Sequence, residues 1–526
     1  MNKILFAFIV IAISFTGCSK FLEEQSQNEV RPSTINDLKA LMGASGYPYQ
    51  VSLYPFLSLM TDDVKCNGGQ GQPNYEKAVL GSKSVFSWSK DMYQELLLPT
   101  GWANTQRINT WAVAYAGISG CNTVMEYIDK VSGNDIDKNN LRGQALTMRA
   151  YYYLLLVNMY GKPYNAPGVD PAKSPGVPLR TRMVVTDSFY ARNSVAEVYT
   201  QIEKDLKDGA KLLNENKQAN GIYKVDVNAA NALLSRMYLY QENWEQSIAY
   251  ADAVIANRPA LTQLRTFKGP PNGGYYLYNN GTNFYYSNRI YDPVLSKEII
   301  WAYKPITPGT GESNDEAFKT SMSPAYSTTY NPPYSVSDEL LSLYDSKPQS
   351  DTAVYLGDLR SRTYILTTLG VISFTPPTYF FKFIGGSMGV GGGGIRTAEL
   401  YLNRAEAKIQ LAIKNGNSGL IQEALNDINT LRSSRYDTRK MYVPITITDP
   451  QQLLSFCREE RRREFPFEEG HRWFDLRRNG MPAITHFYEE TPGTGEEFTL
   501  SQGDSRYTLQ IPKVVLERNG MLSQNP

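Results

Sequence analysis

Residues 225–256 read VDVNAANALLSRMYLYQENWEQSIAYADAVIA, and the spacing of their apolar side chains decides the architecture of the chain. Val227, Ala230, Leu234, Met237 and Tyr238 recur at steps of three and four, which places them on one face of a helix. After a turn at QENW, Trp244, Ile248, Ala251 and Ile255 line a second helical face. Small alanines set among bulky Tyr, Trp and Leu let two helices approach closely, so the stretch predicts a pair of the tetratricopeptide type.

Outward from this unit, the same periodicity recurs. RINTWAVAYAGISGCNTVMEYID pairs with LRGQALTMRAYYYLLLVNMYG, SVAEVYTQIEKDLKDGAKLL precedes the first helix above, and TAELYLNRAEAKIQLAI pairs with LIQEALNDINTLRSS. The expected fold is therefore mainly α: about four helix pairs stacked into a right-handed tetratricopeptide-like superhelix with one continuous core. The scaffold is expected over about 30–42, 103–257 and 395–480, within a single body running from 18 to 526. Long irregular insertions, at about 43–100 and 258–390, interrupt it. They are rich in Pro, Gly, Asn and Tyr, with one clear strand, EIIWAY (298–303). Such loops on a rigid scaffold are where binding usually sits.

Composition narrows the function. The chain has 526 residues with 53 basic against 52 acidic side chains, so no net field draws it to nucleic acid. Aromatics make up 12%, and 37 are tyrosines. These suit core packing, and also stacking on sugar rings and other flat ligands. The N-terminus, MNKILFAFIVIAISFTGCSK, places Lys3 before an apolar run from Ile4 to Phe15 and small residues before Cys18. That run is too short to span a bilayer and fits a signal peptide over residues 1–17. The ending FTGC resembles a bacterial lipobox, which would make Cys18 a lipid anchor that tethers without spanning. Cys66, Cys121 and Cys457 remain, so at most one disulfide forms, and their spacing supports no zinc site.

The pieces then resemble a known family: the starch-utilisation-system D family (SusD/RagB) of outer-membrane nutrient-binding lipoproteins. The resemblance rests on the lipobox with CSKFLEE, on Trp111, Tyr115, Ile118 and Asn122, and on QALTMRAYYYLLLVNMYGKPYN (144–165). It continues through SKEIIWAY (296–303), IRTAELYLNRAEA (395–407), REERRREFPFEEGHRWFDLRRNG (458–480) and YTLQIPKVVLERNGMLSQNP (507–526). It implies a cell-surface protein that captures a glycan, or alternatively a peptide, and delivers it to a SusC-like TonB-dependent transporter without chemistry. No shared motif carries the binding positions, so only regions transfer. In the loop after Asp63, Asn67, Asn74 and Tyr75 are the candidates. In the insertion around 270–335 they are Tyr275, Tyr276, Tyr285 and Tyr326.

Three features offer other chemistry. Gly389, Gly391 and Gly394 satisfy G-x-G-x-x-G, but two helices follow where a second parallel strand would be needed, and no Gly-Lys-Ser/Thr is present. The polyglycine is expected to be a loop feeding a helix, with Arg396, Glu399, Arg404 and Glu406 part of the scaffold, and no cofactor is expected. The block 458–478 balances arginines against glutamates, unlike the one-sign footprint of a nucleic-acid binder. With Phe465, Phe467, Trp473 and Phe474 it predicts a buried or half-buried ion-pair lattice. Only His471 and His486 are available for histidine chemistry, and no metal site is expected. Asp62 and Asp63 are expected to cap and order the loop that follows them. A surface glycoside hydrolase and a scaffold for protein tails are the remaining alternatives.

Overall fold

The computed structural model describes residues 31–49, 51, 53–54, 56–69, 76, 79–95, 109–183, 189–266, 290–303, 333–345, 357–365, 367–374, 377–383 and 393–526. The longer helices run α1 Ile35–Leu41, α2 Thr110–Tyr127, α3 Asp135–Tyr160, α4 Val195–Glu215 and α5 Val227–Tyr240. They continue with α6 Trp244–Asn257, α7 Thr397–Asn415, α8 Ser418–Arg435, α9 Pro450–Glu464 and α10 His471–Arg478. Every helix of the predicted pairs forms. Most are begun by a residue whose side chain accepts from an otherwise unpaired first-turn N–H: Asn134 before α3, Asp226 before α5, Asn243 before α6 and Asn417 before α8, whereas Arg396 before α7 gives no such cap. Ser194 and Glu197 close a reciprocal capping box on α4.

Consecutive helices pack as neighbours from α2 through α8, which gives the tetratricopeptide-like stack. One close approach has a sequence cause. A Cβ on Gly209 of α4 would lie 2.7 Å from Thr147 Oγ1 of α3, so these two helices meet at a separation that only glycine permits.

The core differs from the single continuous one expected. One large cluster joins the N-terminal segment, α2–α6 and α10, while Ala398, Leu402, Ala405 and Ile409 of α7 belong to a second with Ile421, Ile428, Leu453 and Phe465. Helix α7 is buried on nearly every side, and the polar side chains Glu399, Asn403 and Glu406 within it separate the two apolar faces. Buried charges require partners, so these polar side chains and the arginines that pair with them divide the core along α7. Smaller clusters lie under the insertions, around Leu264, Tyr291 and Tyr364, and around Val336, Leu340 and Tyr344.

Short antiparallel ladders attach the insertions. The strands are β1 Val64–Cys66, β2 Ile299–Ala302, β3 Tyr334–Val336, β4 Thr367–Phe374, β5 Pro377–Phe383, β6 Gly394–Arg396, β7 Ile484–Tyr488 and β8 Glu496–Leu500. They pair as β1–β3, β2–β6, β4–β5 and β7–β8. The predicted strand EIIWAY is β2. Its partner is the end of the polyglycine run, where a Cβ on Gly394 would overlap the Trp301 carbonyl. Among the glycines of the motif Gly394 is thus a close-approach residue of an antiparallel ladder; Gly389 and Gly391 lie outside the described residues.

The arginine block is the ion-pair lattice the sequence predicts. Arg435 reaches Glu298 at 3.0 Å and Glu464 at 2.8 Å, Arg396 reaches Glu298 at 2.6 Å and Glu464 at 2.8 Å, and all four side chains are wholly buried. Arg360 binds Asp358 and Glu460, both at 2.7 Å. The Arg396 guanidinium also lies 4.6 Å from the centre of the Phe465 ring. Burial raises the Glu460 carboxyl, but Arg360, Arg432 and Arg463 outweigh it and hold its pKa down at about 2. The scaffold residues named above take part in the same kind of pairing: Glu399 with Arg236 at 2.6 Å, Arg404 with Asp252 at 2.7 Å, and Glu406 with Arg478 at 2.7 Å. The lattice joins β2, the start of α7, the end of α8 and α9, so the 258–390 insertion is fastened to the helical stack at Glu298 within it and at Arg396 just after it.

Candidate ligand-binding surface

The two loop regions singled out in the sequence meet at their bases. Strand β1 ends the segment before the first, β3 ends the second, and the ladder aligns Val64 with Val336, Lys65 with Ser335 and Cys66 with Tyr334. Asn67 continues this contact. Its backbone N–H donates to the Pro333 carbonyl at 2.9 Å, and its amide Nδ2 donates to Ser335 Oγ at 3.0 Å. Asn67 is half-buried and fixes the junction of the two regions. Asn74, Tyr75, Tyr275, Tyr276, Tyr285 and Tyr326 lie outside the described residues, as does Cys18.

Below this junction Asp62 and Asp63 act differently from the loop caps expected. Asp62 accepts two hydrogen bonds from Arg472, at 2.8 and 2.6 Å, and Asp63 accepts one from Arg462 at 2.6 Å. Burial alone would raise the Asp62 carboxyl, but the Arg472 bonds and charge, with Arg462, hold it below its ordinary value. Two adjacent carboxylates repel unless each has its own cation, and the arginine block supplies both. The first loop is thereby pinned to α9 and α10. His486 sits underneath, stacked between Phe86 (4.0 Å between ring centres) and Trp88 (4.2 Å). Its two nitrogens face the carbonyls of Phe86 at 2.7 Å and Thr61 at 3.1 Å. Burial pushes its pKa down to about 4 against those carbonyls, so the ring is neutral and packs as a wall. His471 is buried on α10, with Nδ1 3.4 Å from Arg461 Nη2.

A second constellation lies where α3, β2 and the start of α10 converge. Glu469 accepts from Tyr303 at 2.6 Å and from Tyr151 at 2.9 Å, and the Tyr151 hydroxyl lies 2.9 Å from that of Tyr54. Burial raises the Glu469 carboxyl to about 7 despite both hydrogen bonds. Phe467 and Glu469 hold left-handed backbone conformations, with φ of 58° and 51°, a strain that the surrounding packing must sustain. This cage holds the 465–470 turn against the aromatic face of β2.

Sequence reasoning missed one aromatic wall. A cavity of about 790 Å³ is lined by the rings of Tyr47, Tyr93 and Tyr152, beside the helical turn Lys513–Arg518. The three hydroxyls are engaged inside the protein, with Gln144, Tyr160 and the Gly46 carbonyl. Tyr152 lies in the YYY run of α3, where helical periodicity alone reads every ring as core. Among the described residues no group of three or more His, Cys, Asp and Glu is placed to hold a metal ion, and no helix is long and apolar enough to cross a membrane. Cys66, Cys121 and Cys457 are free thiols.

A helical-repeat stack carrying fastened loop surfaces, with buried charges serving structure, defines a scaffold for binding. Two family models match: one described as starch-binding and associating with the outer membrane, over residues 20–239, and one of the SusD family, over residues 394–526. The chain belongs to the SusD/RagB family. Solved structures agree on the fold. A SusD-like carbohydrate-binding protein of Bacteroides vulgatus aligns with a TM-score of 0.63 at 20% identity, covering 93% of this chain and 97% of that one. A SusD superfamily protein of Bacteroides thetaiotaomicron aligns with a TM-score of 0.62 at 22% identity, covering 94% and 100%. A search among proteins of curated function finds no match.

Proposed function

We propose that this protein captures an oligo- or polysaccharide at the cell surface and passes it, chemically unchanged, to a TonB-dependent outer-membrane transporter. In this reading residues 1–17 are a signal peptide, Cys18 carries the lipid anchor, and residues 18–526 form one body at the outer membrane. Asn67, Asn74, Tyr75, Tyr275, Tyr276, Tyr285 and Tyr326 supply the binding surface, stacking rings on sugar faces while amides hold the hydroxyls. The observation that carries the reading is the β1–β3 ladder. It joins the roots of the two tyrosine- and asparagine-bearing regions and, through Asp62, Asp63 and the arginine block, fastens them to the stack. Roots held in place before the ligand arrives lower the entropy lost on binding, and moderate affinity then suffices for capture and release.

The test is a glycan array probed with the mature protein, followed by Tyr275→Ala and Tyr276→Ala. Loss of about tenfold or more in affinity, with unchanged melting, is expected, since stacked rings dominate such contacts. Release of new reducing ends from a bound polysaccharide would replace this reading with a glycoside hydrolase. Co-purification with a barrel transporter tests the partner.

A further inference from the structure

A second cavity, of about 590 Å³, opens along one edge of the helical stack where α3 begins, α4 ends, α5 begins and α6 ends. Its walls are amides: Asn214, Gln218, Asn220, Asn228, Asn231 and Asn257. Lys211, Lys217 and Arg258 add three cations, against Asp226 as the one carboxylate on the wall. Arg258 lies 3.5 Å from Asp226, whereas no described carboxylate pairs with Lys211 or Lys217. Asn228 of the wall lies in the first turn of α5. Its Nδ2 donates to Asp226 Oδ2 at 3.0 Å, which fixes the orientation of the amide. Its Oδ1 is buried in a residue only 7% exposed and has no hydrogen-bond partner. A buried acceptor without a donor costs free energy, and it belongs to a residue that helps to line the cavity.

We propose that this cavity is a binding site for an extended peptide ending in a free carboxylate. Side-chain amides offer a donor and an acceptor with the geometry of the peptide group itself, so a wall of them can pair with successive backbone N–H and C=O groups. The terminal carboxylate lies between Lys211 and Lys217, whose charges have no other counterpart. No aromatic ring lines the cavity, so the stacking that favours sugars is missing here. The site is separate from the glycan surface and does not rest on it.

The experiment uses the intact mature protein and a set of acetylated heptapeptides, each made with a free carboxyl terminus and as the C-terminal amide, with an oligogalacturonate of similar length as the acidic saccharide. Binding is read by fluorescence anisotropy. Free-acid peptides are expected to bind, their amides about tenfold or more weaker, and Lys211→Glu and Lys217→Glu to weaken the acids by a similar factor. Both lysines are exposed, so these variants keep the fold; Asn228→Ala is read beside them. Glycan binding in the same variants is expected to be unchanged, which separates failure here from failure of the glycan reading. Absence of binding at millimolar peptide, equal binding of acids and amides, or preference for the oligogalacturonate would each overturn the proposal.

Discussion

Glu469 is held between Tyr151 and Tyr303 with its pKa raised to about 7 from an ordinary 4.5. A carboxyl whose folded pKa is raised binds its proton more tightly when folded. Its contribution is full below about pH 4.5 and is lost as pH rises through about 7. The shift corresponds to roughly 3–4 kcal/mol. Glu469→Gln, which keeps the shape and removes the titration, should flatten the decline in stability between pH 5 and 8. Urea unfolding at both pH values measures it, and an unaltered slope in the variant would contradict the assignment. Glu464 is the opposite case: three arginines, Arg360, Arg396 and Arg435, converge on it, and it stays charged. Glu464→Gln leaves three buried guanidiniums short of one counter-charge, and a loss of about 3–5 kcal/mol is expected in the same assay.

At the scale of the element, two contacts decide how the scaffold stands. Gly209→Leu would drive a side chain into Thr147 and push α3 from α4. Overpacking of this kind costs about 1–3 kcal/mol, and calorimetry should show a lower melting temperature. Ser194→Ala removes one half of the α4 capping box and should cost about 1 kcal/mol, with glycan affinity unchanged. A fall in affinity would mean that the far side of the stack reaches the loops. The helices were legible because their apolar residues repeat every three or four positions and their caps are local. The β1–β3 ladder was not, because Val64 and Val336 are remote in sequence and three-residue strands carry no periodic signal.

For the molecule as a whole, fastening the insertion to the stack should matter more to ligand binding than to folding. Asp62→Asn together with Asp63→Asn releases Arg462 and Arg472 and loosens the first loop at its root. Glycan affinity should fall several-fold more than the binding of free-acid peptides in the amide-lined cavity, and titration of both ligands against the double variant compares them. The candidate site was legible only as regions. Asn67 lies at the junction of the two, in a role that its position after Asp63 did not disclose. The amide-lined cavity escaped notice because its residues come from four helices and look, one at a time, like solvated surface.

The sequence alone determined the helical repeat, the interruption of that repeat by tyrosine-rich segments, and the balanced character of the arginine block, since each is written in neighbouring residues or in composition. Tertiary structure decided which charges meet, that the core divides around α7, and that two distant loops share one root. Those outcomes depend on contacts between residues hundreds of positions apart, and buried charge and backbone pairing are satisfied only once the whole chain has packed.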